Sequence, residues 1–304
     1  MEDNNRAEGF TAQFSELEVA RKRMISVKNK IHVLFGILTF AVFIAVLLIF
    51  KKFFVAIALG VLIAGGWYYF IDRESNKFGQ LFKQLVMIPF LLEQFPNMAY
   101  HREGIEKKAF LASELYKKND VDRYNSEDMF SGMHGKTKFR FSEVHAEREH
   151  RDSDGGSSYV TIFQGIFLIA DFNKSLKGST RVVQAKDNFF KKFLNRKKQV
   201  SLEHPEFEGI FNTYGDDQIE ARYILSTAMM ERILKLQAKW KDELRISFIR
   251  DHVFIAVNHK RNLFEPDLGR EIDKTQLDRI MDEVSTCLEM MDILDLNTRI
   301  WTKE

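Results

Sequence analysis

Cysteine is nearly missing from this chain: Cys287 is the only one in 304 residues, which excludes an internal disulfide and any intramolecular multi-cysteine zinc or iron-sulfur site. Proline is also scarce, with 4 copies, and no serine- or glycine-rich tract occurs, so no long flexible linker is expected. An excess of one charge is lacking too. The 45 basic and 43 acidic residues leave a net +2, short of the basic surplus of a dedicated nucleic-acid binder, so an electrostatic partner has to meet a local patch. No phosphate loop, dinucleotide fingerprint, nucleophile elbow or zinc-protease motif is present. A cleavable signal peptide is not expected, because roughly thirty mostly polar residues precede the first apolar run and no suitable small-residue cleavage site follows.

What the chain does have is an almost entirely apolar run from Ile31 to Ile71, with Lys51 and Lys52 in its middle. A helix rises about 1.5 Å per residue, so about twenty residues cross a 30 Å hydrocarbon core and forty are twice too many. Two spans, 31–50 and 53–71, are therefore expected, with Lys51 and Lys52 at the outer turn rather than near the bilayer centre, where each would cost about 2.5 to 3.5 kcal/mol. Ala41, Ala45, Ala56, Gly60 and Ala64 are placed for close helix packing, and Trp67, Tyr68 and Tyr69 for an interfacial belt. Arg21, Lys22, Arg23, Lys28 and Lys30 precede the first span and Arg73, Lys77 and Lys83 follow the second, which puts both termini in the cytoplasm. The plainer alternative is a buried helical hairpin of a soluble protein. Apolar character all round each segment argues against it.

Four regions follow: an N-terminal cytoplasmic helix over 1–30, the spans within 31–71, a membrane-proximal helical segment over 72–103, and an α+β domain over 104–304 with a largely antiparallel sheet. The helical period of KFGQLFKQLVMIPFLLEQF ends near Pro89 or Pro96. TKFRFSEVHAER and SYVTIFQGIFLIADF flank RDSDGGS and read as a hairpin. A change of phase between Phe139 and Phe141 on one side and Val144 and Ala146 on the other predicts a β-bulge near Ser142 and Glu143. STRVV reads as a short strand, HPEFEGIF as a helical turn opened by Pro205, and DQIEARYIL as a strand. TAMMERILKLQAKW is a helix capped by Ser226 or Thr227. LRISFIRDHVFIAVN is a second hairpin turning at Arg250 to His252. The last helix, about 272–295, buries Leu277, Met281, Val284, Leu288 and Met291. Most of the 28 phenylalanines are expected in the core or against lipid.

Several ordered segments resemble the bacterial membrane-protein family catalogued as domain of unknown function 3137. The residues that carry the likeness are Ser126 to Asp128, Ser142 to Val144, Phe163, Gly165, Asp171-Phe172-Asn173-Lys174, Pro205 to Phe207 and Ala221 to Leu225, behind two apolar segments. The resemblance implies membrane attachment and bacterial origin. It implies no activity, ligand or catalytic residue.

Three residue sets are candidates for chemistry. His145, Glu147 and Glu149 share a strand face and are of metal-ligand type, although a charged hairpin tip explains them equally well. Glu127, Asp128, Glu143, Asp171 and Asn173, with Lys174 nearby, make a polar site only if the fold brings them together. Capping by Asp128 and turn formation by Asp171 and Asn173 are the plainer roles. Lys191, Lys192, Arg196, Lys197 and Lys198, beside Phe189, Phe190, Phe193 and Leu194, suit a basic helix on anionic lipid, each charge adding about 1 kcal/mol. Core phenylalanines with solvated lysines are the alternative.

The reading is a membrane-anchored cytoplasmic interaction module that binds a protein partner or lipid headgroups, in a bacterial plasma (inner) membrane. Partners in view are the bilayer, anionic lipid, a protein or a second copy, with nucleic acid ranked below them. No cofactor, resident metal or catalytic residue is expected. The alternative is a membrane-tethered, hydrolase-like enzyme with an acidic or metal-dependent site on the α+β domain, using Glu143 and Asp171.

Overall fold

The computed structural model describes residues 2–50, 53–151, 155–185, 198–259 and 261–297. They form two compact units: Met1–Gln94 with Glu265–Met281, and Phe95–Phe264 with Asp282–Glu304.

In the first unit, helix α1 runs unbroken over Glu2–Phe50, and α2 starts at Phe53. Lys51 and Lys52 lie between them, outside the described residues. The two helices are antiparallel. Lys28 Nζ donates to Ser75 Oγ at 2.7 Å and Trp67 Nε1 donates to His32 Nδ1 at 3.1 Å, so one index rises as the other falls, and Phe35 meets Phe70 at 6.0 Å along the same seam. Of the small residues expected at this seam, Ala56 is buried and Gly60 half-buried, whereas Ala41, Ala45 and Ala64 are exposed. Aromatic contact on larger residues does the packing instead, with Phe35 Cε1 at 3.6 Å from where a Cβ on Gly66 would stand. Leu17 and Met24, ahead of the first apolar segment, are buried. Both helices are long and apolar enough to cross a membrane.

The chain beyond the second apolar segment stays helical without a break. Helix α2 (Phe53–Phe82) passes into a π-turn, Lys83–Met87, and then into α3, Ile88–Gln94. A wide turn with i to i+5 bonds just before Pro89 accommodates the missing N–H and the ring that would otherwise clash with the preceding turn. Residues 265–273 are tied to α1 in the same unit. Glu18 accepts both Arg21 Nε and Nη2 at 2.7 Å and the backbone N–H of Ile272 at 3.2 Å, while Arg21 Nη1 donates to the Leu268 carbonyl at 3.2 Å.

The second unit is built on a nine-stranded sheet, antiparallel at every junction, in the order β1-β2-β3-β4-β9-β8-β5-β7-β6. The strands are β1 Met98–Glu103, β2 Arg123–His134, β3 Thr137–Arg151, β4 Ser157–Asp171, β5 Ser179–Gln184, β6 Gln199–Val200, β7 Phe211–Gly215, β8 Glu243–Ile249 and β9 His252–Asn258. Fold class is α+β. Both expected hairpins are present, β3 with β4 and β8 with β9.

Each sheet face has its own cover. Phe163, Phe167, Ile169, Phe254 and Val183 pack under helix α4, Lys107–Ala112, and the residues after it, where Phe110 stacks on Tyr116 at 4.5 Å and meets Phe167 at 4.9 Å. On the opposite face Phe130 contacts Phe141 at 5.1 Å and Phe264 at 4.7 Å. Helix α7, Thr227–Trp240, buries Met229, Met230, Ile233 and Leu236. Gln184 Nε2 donates to its Gln237 Oε1 at 2.6 Å, which fixes that helix over the second face. The five stripe residues of the last helix, α8 (Lys274–Ile293), are all buried.

Two sequence expectations are corrected. Strand β3 has no bulge at Ser142 and Glu143, because it is interior to the sheet and both its faces are covered, so Phe139, Phe141, Val144 and Ala146 are all buried in regular register with β4. The irregularity lies across from it in β2, between Glu127 and Phe130, where Asp128 has φ 55°. A second irregularity falls between Ala146 and Glu147, where β4 carries the extra residue. DQIEARYIL is helix α6, Gln218–Ile224, after the shorter α5, Pro205–Ile210. Asp217 caps α6 by accepting from the N–H groups of Ile219 at 2.7 Å and Glu220 at 3.1 Å.

Candidate functional site

The expected polar set does not converge. Glu143 is paired in register with Ile166 of β4, and Asp171 lies five residues further along that strand, about 16 Å away and, by odd spacing, on the other face of the sheet. Glu143 has a structural role: its Oε1 accepts the backbone N–H of Leu263 at 2.5 Å. Glu127 is its cross-strand neighbour, and Asp128 is buried in the bulge, accepting from Tyr100 OH at 2.5 Å. Asp171 pairs in register with His252, and Asn173 lies just after β4. An acid/base pair of Glu143 and Asp171 is therefore corrected: these two carboxylates share no pocket.

His145, Glu147 and Glu149 have local partners. His145 Nε2 is 3.1 Å from Thr161 Oγ1, Arg123 is 3.9 Å from Glu147, and Arg151 Nη2 is 3.0 Å from Glu149. Among the described residues no group of three or more metal-ligand types is assembled. Lys191, Lys192, Arg196 and Lys197, with the phenylalanine face beside them, lie outside the described residues. Lys198 is described, and its ammonium pairs with Asp216 at 2.6 Å.

The residues that carry the family resemblance serve the sheet. Ser126 Oγ is 2.9 Å from Ser142 Oγ and donates to the Glu143 carbonyl at 2.9 Å. At Gly165 a Cβ would lie 2.0 Å from the Val257 carbonyl oxygen, so only glycine allows β9 to close on β4 there. The backbone N–H of Phe172 donates to the Asp251 carbonyl at 2.7 Å, and Lys174 stands over the Tyr223 ring at 4.3 Å.

A cleft of about 620 Å³ opens on the α4 side of the sheet. Its floor is Ile169 and Phe254, and one wall is Ala109, Leu111 and Ala112 of α4. The end of that helix is strained: Ser113 holds the Phe110 carbonyl at 2.6 Å, Ser247 Oγ donates to the Ser113 carbonyl at 2.7 Å, and Glu114 is forced to φ 54°. That reversal brings the Glu114 carboxylate to Arg181 on β5.

Arg181 is the electrostatic centre of this region. Its side chain is only 8% exposed, with Nη1 at 3.2 Å from Glu114 and Nη2 at 3.7 Å from Asp216. A buried guanidinium needs such partners, since desolvation otherwise outweighs attraction. Ser179 Oγ stands 2.6 Å from Asp216 Oδ2 and 3.0 Å from Glu114 Oε2, so one hydroxyl proton serves two carboxylates. The Ser179 backbone N–H also donates to Asp216 at 3.1 Å. Burial alone would raise the Asp216 pKa, but the hydrogen bonds from Lys198 and Ser179 outweigh it and hold the carboxyl at about 2. Near neutrality Asp216 is an anion and unsuited to donate a proton.

The rim carries basic side chains. Lys177, Arg250, Arg140 and His252 line it. Arg140 pairs with Glu106 at 3.6 Å and His252 with Asp251 at 2.7 Å. For the Lys177 ammonium and the Arg250 guanidinium no ion-pair partner is found among the described residues. The Glu220 carboxylate fixes the Lys177-Gly178 turn by accepting both backbone N–H groups, at 2.8 and 2.9 Å. Sequence reasoning missed Glu114, Ser179, Arg181 and Asp216. The one local signal was an arginine inside the short strand STRVV, all of which is buried.

No curated protein matches the sequence. Among solved structures, the crystal structure of the mycobacterial trehalose monomycolate transport factor A, TtfA, is 9% identical with a TM-score of 0.34, over 68% of this chain and 93% of that one. Residues 161–296, from the middle of β4 to just past the last helix, match the family described as Protein of unknown function (DUF3137), the same family whose residues the sequence resembles.

Proposed function

We propose that the protein is a membrane-anchored interaction module, with its α+β unit in the cytoplasm next to a bacterial inner membrane, binding a protein partner or lipid headgroups. The observation that carries this reading is the exposure of large apolar side chains on both long helices. Phe40 is 70% exposed, Leu48 74%, Phe54 84% and Leu62 71%. Apolar surface of this extent is stable only against lipid or another apolar surface. The hairpin returns both flanks to one end, and the bases beside them outnumber the lysine pair at the turn, which favours cytoplasmic termini. Extraction of native membranes with alkaline carbonate should leave the full chain in the pellet. Protease added to right-side-out vesicles should spare residues 95–297, and their digestion from outside would overturn the orientation.

A further inference from the structure

We propose that the cleft over Ile169 and Phe254 binds a phosphate-bearing ligand with a short apolar body, its anion held by Lys177 and Arg250. This deepens the interaction-module reading by naming the ligand class, and the cleft itself needs no membrane to form.

Size, charge and shape agree. The cleft, at about 620 Å³, lies within the 300 to 1,000 Å³ usual for small-molecule sites. Its interior acids are already committed, Glu114 to Arg181 and Ser179, and Asp216 to Arg181, Ser179 and Lys198. The charge left over on the lining is positive, from Lys177 and Arg250. Two cations match a phosphate dianion, with arginine presenting a fork of N–H donors and lysine a point charge. The Ile169 and Phe254 floor offers nothing to a second charge and suits a hydrocarbon portion. The frame is preorganised: Arg181 is buried, the turn at Glu114 is held in a left-handed conformation, and the Lys177 turn is pinned by Glu220. A ligand therefore meets fixed walls, which lowers the ordering cost of binding.

The shared chemistry has two sources, a lipid headgroup or a soluble phosphate compound. Titration calorimetry on the full chain in an uncharged maltoside detergent separates them, using inorganic phosphate, monomeric dihexanoyl phosphatidic acid, and dihexanoyl phosphatidylcholine as the zwitterionic comparison. The acidic lipid should bind and the choline lipid should bind at least tenfold more weakly. Binding of inorganic phosphate as tight as that of the acidic lipid assigns a free phosphate source and overturns the apolar portion, and its absence assigns a ligand whose hydrocarbon part is needed, as a lipid headgroup with its acyl chains supplies. The double variant Lys177→Gln, Arg250→Gln should weaken binding of the acidic probe roughly tenfold or more, as expected for losing charge-assisted contacts. Lys235→Gln, an exposed charge on α7, should leave it unchanged. Should the double variant unfold, each single variant is read instead, both charges being on the rim. Failure of both acidic probes to bind, or equal binding by variant and parent, overturns the proposal while leaving membrane extraction, and with it the anchoring, untouched.

Discussion

Arg181 donates to the carboxylate of Glu114 at 3.2 Å across 67 residues of chain, joining the fifth strand of the sheet to the turn that ends α4. The contact makes the α4 cover part of the sheet's electrostatics as well as of its apolar core. A buried arginine that depended only on Asp216 would leave this cover held by Phe110 and its neighbours alone.

Replacing Arg181 with alanine should cost about 2 to 3 kcal/mol, below the usual cost of breaking a fully buried pair because both carboxylates are partly solvated. Urea unfolding checks it. A cycle with Glu114→Gln should give non-additive losses, since the two residues share one contact.

Stability should depend on acid through Asp216 and His259. The Asp216 carboxyl is lowered from 3.8 to about 2 in the fold, so its contribution is complete above 3.8 and fades as pH falls through 2. Burial, aided by Arg261, lowers His259 from 6.5 to about 4. Here the unfolded chain takes up the proton first, so stability declines as pH drops from 6.5 toward 4. Melting temperatures against pH should show both losses, and His259→Gln should flatten the upper one.

Gly165→Ala should be severe, about 3 kcal/mol or more, because its Cβ meets a backbone carbonyl at 2.0 Å rather than a side chain that can turn away. Hydrogen exchange of the amides from Ile166 to Asp171 should accelerate relative to those of β2. Unchanged protection would place the strand pairing elsewhere.

Phe40→Arg sets a charge deep in the proposed first span, at a cost of about 2.5 to 3.5 kcal/mol on insertion scales. The fraction retained in the membrane pellet after carbonate extraction should fall, while Phe40→Leu should leave it as it was.

Cys287 should resist alkylation in the native protein. Burial pushes its thiol well above the ordinary range, and no part of it is exposed. Labelling with iodoacetamide should appear only with global unfolding in denaturant.

The parts of this fold that were legible in the sequence are those specified locally. A run of about forty mostly apolar residues divides into two long apolar helices by length alone, RDSDGGS and Arg250-Asp251 mark hairpins by turn chemistry, and the last helix shows its stripe. Where local signals have two solutions, long-range packing decided. In DQIEARYIL the alternation suggested a strand, yet Ala221 and Ile224 are buried while Ile219 and Tyr223, four apart, face outward, the pattern of a helix. The phase change in β3 implied a bulge only on the assumption of one wet face, and both are covered. The candidate site was illegible for a related reason. Glu114, Ser179, Arg181 and Asp216 are ordinary one by one, and only the order of strands β8, β5 and β7 brings them together.

The π-turn ahead of Pro89 keeps α2 and α3 in one piece from Phe53 to Gln94. For a chain anchored as proposed, the 23 residues past Ile71 then continue the helix for roughly 35 Å beyond the membrane surface. The helical hydrogen-bond ladder of the second apolar segment is thereby carried on as far as Gln94, where the first unit hands the chain to the sheet.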